Sequence, residues 1–194
     1  MARVSVLIAS SLEIKKSLVP AKIGPHQISV FYTGLGKIRA SLAAFDHLKA
    51  TPTDIVINLG TCGSHSIPVG TVVEVSAYVE RDVDLSAVGL QPGFFPGNDG
   101  KIISSKKYLK NLPQAICGTG DRIDLHPPRV KCDVYDMEAF ALAFVCRKLE
   151  LPFVSLKFVS DASQNSVAAE WKDNLAKAQE SLLIQLQEII KIIP

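Results

Sequence analysis

Asp54-Ile55-Val56-Ile57-Asn58-Leu59 is the stretch that decides the fold. Its near-continuous run of Ile, Val and Leu lacks the polar alternation of a strand wetted on one face, so it predicts a strand buried on both sides. Working outward, shorter apolar runs give strands over 4–9, 28–32, 71–79, 115–118, 134–135 and 153–159. Helical spacing passes through Ile38, Leu42, Phe45 and Leu48 within 37–48. It returns through Ala139, Leu142, Ala143 and Cys146 within 138–149. A long closing helix over 168–193 carries Leu175, Ala178, Leu182, Leu186, Ile189 and Ile193 on one stripe. Segments 60–70 and 91–100, punctuated by Gly, Pro and Ser, read as loops. Strands alternating with helices predict an α/β fold, a three-layer α/β/α sandwich around a central mixed sheet. No repeat, linker or low-complexity tract divides residues 1–194, so a single domain is expected.

Composition narrows the function. Of 194 residues, 47% are hydrophobic and 21% charged, a balance that supports a substantial core. Lys and Arg number 21 against 19 Asp and Glu. Without a basic block, that balance argues against nucleic-acid binding. The opening Met1–Ser11 resembles a short signal peptide, but it runs into Glu13-Ile14-Lys15-Lys16 and reads instead as a first buried strand. No apolar run approaches the ~20 residues that span a bilayer, so no membrane partner is expected. Cys62, Cys117, Cys132 and Cys146 show no C-x-x-C spacing. They read as reduced thiols of a cytoplasmic protein, with no metal site. His26, His47, His65 and His126 are scattered and expected on the surface or in loops.

Two carboxylates follow consecutive strands, in Tyr135-Asp136-Met137-Glu138 and in Phe158-Val159-Ser160-Asp161. Ligands of open α/β sheets bind beyond the carboxyl ends of the strands, which brings Glu138 and Asp161 toward one pocket. Such a pair suits cleavage of a glycosidic bond. One acid holds hydroxyls and offsets positive charge while the other protonates the leaving group. The plainer alternatives are that Asp161 caps a following helix, and that Glu13 and Glu138 are helix-start acids complementing a dipole. In Gly34-Leu35-Gly36-Lys37, Arg39 stands where a dinucleotide fingerprint needs a third small residue. The Ser or Thr of a Walker loop is absent too, so the segment reads as a tight turn at the pocket edge and no cofactor is expected. Gly60-Thr61-Cys62-Gly63-Ser64 is either a simple turn or a cradle for sugar or anion oxygens.

These pieces occur in a telling order: Ile8-Ala9 with Glu13, Thr33–Lys37, Asn58–Gly63, Gly120-Asp121, Asp136-Met137-Glu138-Ala139 and Val159-Ser160-Asp161. The chain resembles the nucleoside phosphorylase/uridine phosphorylase superfamily, and within it the 5′-methylthioadenosine/S-adenosylhomocysteine nucleosidases. The resemblance implies a homodimer that takes a small purine nucleoside. It implies that Asp161 protonates the purine at N7, that Glu138 with Met137 holds the ribose hydroxyls, and that Glu13, helped by Thr61, positions and deprotonates water. Leu35, Cys62, Gly63, Asp136 and Ser160 join the substrate site by the same resemblance. Ile123 falls near the position of a base-stacking aromatic, Trp171 stands where a Phe usually lines the sugar-5′ side, and Lys157 replaces a common arginine.

Phosphorylases of that superfamily place a phosphate-binding arginine at the strand end that here carries Asn58. They also have Gly and Arg ligands where this chain offers Glu13. A dianion beside a carboxylate and without a guanidinium is repelled, so water is the expected nucleophile. The short 121–134 segment and Trp171 leave two kinds of 5′-substituent open. One is the thioether of methylthioadenosine and S-adenosylhomocysteine; the other is the bulky aryl group of 6-amino-6-deoxyfutalosine, an intermediate of menaquinone synthesis. A phosphorylase and a non-catalytic nucleoside-binding protein are the alternative functions.

Overall fold

The computed structural model describes residues 1–94, 101–103, 106–164 and 166–193. In it the buried run extends beyond its apolar residues. Strand β4 (Ile55–Gly63) carries on through Gly60, Thr61 and Cys62, which the sequence assigns to a loop. The reason is its neighbour: β9 (Phe153–Asp161) lies parallel to it from Val56↔Phe153 to Cys62↔Val159, so the backbone stays paired to the rim of the sheet. Strand β9 likewise runs two residues past its expected end and takes in Ser160 and Asp161. Helix α3 (Val167–Ile192) starts well after Asp161, which is therefore not its cap.

Strand β1 (Arg3–Ile8) lies parallel between β3 (His26–Tyr32) and β4. A two-residue strand without a sequence signal, β2 (Lys22–Ile23), folds antiparallel onto β3. On the other side of β9 the sense reverses. Strand β5 (Val72–Glu80) is antiparallel to β9 and parallel to β7 (Gln114–Thr119), with the short β6 (Lys101–Ile103) along its other edge. Strand β8 (Val134–Asp136) runs parallel to β7 and meets β4 only at Gly63↔Tyr135. The path β4–β9–β5–β7–β8 thus closes on itself, a curl of the mixed sheet that hydrophobic periodicity does not encode.

Helices cover both faces. On one face α3 buries Ala178, Leu182, Leu186 and Ile189 among Val6, Ile57 and Leu156. On the other, α1 (Lys37–Ala50) and α2 (Ala139–Lys148) pack over Leu7, Val56 and Val159. Val6 and Leu7 on β1, and Val56 and Ile57 on β4, face opposite layers, as the two-residue period of a strand requires. Helix α2 buries the expected Ala139, Leu142, Ala143 and Cys146.

Helix α1 departs from its apparent pattern. Ala40, Ala44 and Leu48 face inward, while Ile38, Leu42 and Phe45 are 73%, 64% and 40% exposed. Small alanines let α1 approach its neighbours closely, and the bulky stripe is left outside. His26, expected on the surface, is buried instead, because it opens β3 and its Nδ1 accepts the N–H of Ala2 at 3.2 Å. His47 stacks on Phe31 with ring centroids 4.3 Å apart. The 95–100 part of the expected loop lies outside the described residues. All four cysteines are free thiols. Among the described residues no helix is long and apolar enough to cross a membrane.

Candidate active site

A cavity of about 320 Å³ opens where the carboxyl ends of β1, β3, β4, β8 and β9 come together. Glu13 and Asp161 line it. So do Leu35, Thr61, Cys62, Gly63, Ile123, Asp136, Met137, Glu138, Ser160 and Trp171. The structure therefore brings all twelve sequence-derived candidates to one space.

Glu13 enters from the turn after β1, held by its N–H to the Ser10 carbonyl at 3.1 Å. Its Oε1 accepts both the N–H and the hydroxyl of Thr61, each at 2.7 Å. Its Oε2 is buried and has no hydrogen-bond partner among the described residues. Gly60 makes this placement possible. A β-carbon there would stand 3.3 Å from Glu13 Oε1 and 3.1 Å from Lys157 Nζ, tighter than side chains normally tolerate. Thr61 is bound from a second direction by Trp171, whose indole N–H donates to its hydroxyl at 3.0 Å.

Asp161 is aimed by its own strand end. The Ser160 hydroxyl donates to Oδ2 at 2.9 Å and the Ser163 N–H donates to Oδ1 at 3.0 Å. Ser163 adopts a left-handed backbone at φ +53°, which folds the chain back over the carboxylate. Gly63 again clears the space, since a β-carbon there would lie 2.7 Å from Asp161 Oδ1.

On the remaining side, Glu138 Oε1 accepts the Gly36 N–H at 2.9 Å across the cavity from α2 to the turn before α1. Burial and the nearby charge of Asp136 push its carboxyl up to about 8. Asp136 is fully engaged, by the Thr119 hydroxyl at 2.6 Å, the Ala139 N–H at 2.9 Å and Lys157 Nζ at 2.8 Å. Burial opposes its charge, but Lys157 and the hydrogen bonds prevail and hold it below the usual carboxylate range. Lys157 is equally buried. Desolvation works against its charge, yet Asp136 and the surrounding acids leave the ammonium more firmly protonated than usual.

Two sequence inferences change. Asn58 is not at the strand end but inside β4, because the strand continues to Gly63. Its amide donates to the Leu7 carbonyl at 3.1 Å and accepts from Ser155 at 2.7 Å, so it tethers strands. Sequence reasoning also passed over Arg81, which lines the cavity directly after β5. Its guanidinium donates to the carbonyls of Gly118 at 3.1 Å and Gly120 at 3.2 Å and pairs with Asp124, fixing the loop that presents Ile123. Arg122, also at the cavity, pairs with Asp124 at 2.8 Å. The signal was available: Arg81 follows a strand end in Glu80-Arg81-Asp82, the position that exposed the other candidates.

Comparison with known proteins bears on the family and the fold. The family model of the phosphorylase superfamily matches residues 15–117 and 112–191. A 5′-methylthioadenosine/S-adenosylhomocysteine nucleosidase of Anoxybacillus flavithermus is 29% identical over 178 residues, covering 79% of this chain and 77% of that protein. The Shewanella loihica nucleosidase is 27% identical over 196 residues, covering 89% and 85%. Among solved structures, the Helicobacter pylori nucleosidase with butyl-thio-DADMe-Immucillin-A superposes with a TM-score of 0.89 at 21% identity, covering 100% of this chain and 99% of that one. Futalosine hydrolase of Helicobacter pylori gives 0.88 at 21% identity, covering 99% and 98%. At that identity the structural likeness establishes the fold.

Proposed function

We propose that this chain, which belongs to the phosphorylase superfamily, is an N-glycosyl hydrolase that releases adenine from 5′-substituted adenosines with water as nucleophile. The observation that carries the reading is the buried, unpartnered Oε2 of Glu13, in the cavity that also holds Glu138 and Asp161. A buried carboxylate oxygen without a donor is costly unless a ligand or water completes it. A water donating to Oε2 is held for attack on the anomeric carbon.

The remaining groups divide the work. Asp161 delivers a proton to N7, so the purine departs as a neutral base. Glu138 accepts hydrogen bonds from the ribose hydroxyls, and the acids around the sugar stabilise the cationic, ribosyl-like transition state in a water-poor site. The water proton passes to Glu13 as the new C1′–O bond forms and the C1′–N9 bond breaks. Solvent exchange then returns Glu13 and Asp161 to their starting states. Phosphate would need a free cation. The guanidinium of Arg81 is committed to carbonyls and Asp124 and the ammonium of Lys157 to Asp136, while the exposed Arg122 pairs with Asp124 through its Nε. Adenine release from methylthioadenosine in phosphate-free buffer tests the reading; release only on adding phosphate would make the protein a phosphorylase.

Relatives named as methylthioadenosine/S-adenosylhomocysteine nucleosidases and a neighbour named futalosine hydrolase support two classes of 5′-substituent. The thioether and the aryl group both suit an apolar wall of Leu12, Val167 and Trp171. Comparing kcat/KM for methylthioadenosine and 6-amino-6-deoxyfutalosine separates them, and only a preference for the latter places the enzyme in menaquinone synthesis. Four free thiols suit a reducing, cytoplasmic setting.

The outward stripe of α1 is read as a homodimer interface. Contiguous exposed apolar side chains mark association surfaces. A depression next to the cavity runs from Leu35 and Met137 to Ile38, so a partner on α1 would also cover the cavity mouth. Sedimentation should find a dimer that Leu42→Glu converts to monomer. A monomeric wild type would reject the interface.

A further inference from the structure

We infer that Trp171 is a positioning residue for the nucleophile: its indole N–H fixes the direction of the Thr61 hydroxyl and thereby the orientation of the attacking water. The inference rests on the hydrolase reading above and assigns Trp171 a task beyond lining the cavity. A threonine hydroxyl has one proton to give and two lone pairs, whereas an indole N–H can only donate. Because Trp171 donates to Thr61 Oγ1 at 3.0 Å, that oxygen accepts there and sends its own proton to Glu13 Oε1 at 2.7 Å. Glu13 Oε1, also bound by the Thr61 N–H, has no room for water, while the buried Oε2 has no donor among the described residues.

The hydroxyl keeps one lone pair. A water in the cavity can therefore donate one hydrogen to Glu13 Oε2 and the other to Thr61, which leaves its own lone pair for C1′. If the indole N–H were absent, the Thr61 proton could swing toward the water and occupy the lone pair that must attack. The indole is held in place by its own helix. Helix α3 is pinned to the end of β9 on both sides of Trp171, by Glu170 accepting the Ala162 N–H at 2.9 Å and by Asn174 donating to the Ser160 carbonyl at 3.0 Å.

Trp171→Phe keeps a ring and removes the donor. We expect kcat to fall about tenfold with KM within about threefold, the pattern of an interaction felt in the transition state. In a Thr61→Ala background the same substitution should change kcat by less than about twofold, because the hydroxyl it acts on is gone. A ring that merely shapes the 5′ pocket would instead raise KM by the same factor in both backgrounds, and that result, or an unchanged kcat in Trp171→Phe, overturns the inference. Should the Phe variant not fold, benzothienylalanine at 171 exchanges the N–H for sulfur at nearly constant shape and takes the same test. Wild-type protein unable to release adenine with or without phosphate would instead refute the hydrolase reading itself, and this inference with it.

Discussion

Asp136 and Glu138 stand two residues apart, both buried and both at one cavity, yet their charges are treated in opposite ways. Asp136 has a hydroxyl, a backbone N–H and the ammonium of Lys157 on its two oxygens. Glu138 has the Gly36 N–H and open cavity. The first is held ionised; the second is pushed up to about 8. Burial is common to both, so the partners decide the outcome. Saturated carboxylates such as Asp136 build the site, and those with an unfilled oxygen, Glu138 and above all Glu13, are left for substrate.

That division is broken most severely at its reactive end. Glu13→Gln retains an acceptor for Thr61 but cannot take a proton from water, and Asp161→Asn cannot give one to N7. Each should lower kcat by ~10²–10⁴-fold. Circular dichroism and the unfolding midpoint should stay near wild type. Near-normal turnover by either purified variant would remove that residue from its assigned role.

The structural end should respond in stability. Lys157→Met strands the Asp136 carboxylate in the interior, and breaking a buried pair by removing one partner costs about 3–5 kcal/mol. Glu138→Gln, which disturbs one hydrogen bond, should cost about 1 kcal/mol. Denaturant unfolding of the two variants sharpens the contrast, and adding Asp136→Asn to Lys157→Met should restore part of the loss. Equal midpoints for Lys157→Met and wild type would mean that Asp136 does not depend on its ammonium.

The sequence carried the parts of this arrangement that follow strand ends. The Ile55–Leu59 run marked a buried strand, and the residues after such runs supplied Asp161 and Glu138. What it missed depends on contacts remote in sequence. The extension of β4 through Thr61 is set by pairing with β9, and the local glycines argue against a strand until that partner is known. The curl that brings Tyr135 to Gly63 is likewise a property of strand order. Helix α1 misleads because Ile38, Leu42 and Phe45, the usual sign of a core face, point outward while two alanines and Leu48 do the packing. Arg81 was passed over because a charged residue between two acids reads as surface, whereas its guanidinium is buried against loop carbonyls.

The gentlest probe of the comparison is pH, since it titrates Glu138 without altering a side chain. A carboxyl accepts two ribose hydroxyls best when ionised, and burial and Asp136 push Glu138 up to about 8. kcat/KM, which reports free-enzyme ionisations, should therefore climb ~10-fold per pH unit below about 8 and level off above it. Stability should move the other way. A carboxyl raised from 4.5 to about 8 on folding binds its proton more tightly in the folded state. Its stabilising contribution is complete below pH 4.5 and disappears as pH rises through about 8. Asp136, held below its ordinary value, has the opposite sign: its contribution is present above that value and is lost in acid. Paired profiles of kcat/KM and unfolding midpoint between pH 5 and 9, run beside Glu138→Gln, test both halves at once. A wild-type activity profile flat across that range, or a limb near 8 that survives in Glu138→Gln, would show that the sugar-side acid is already ionised and that its neighbour does not govern it.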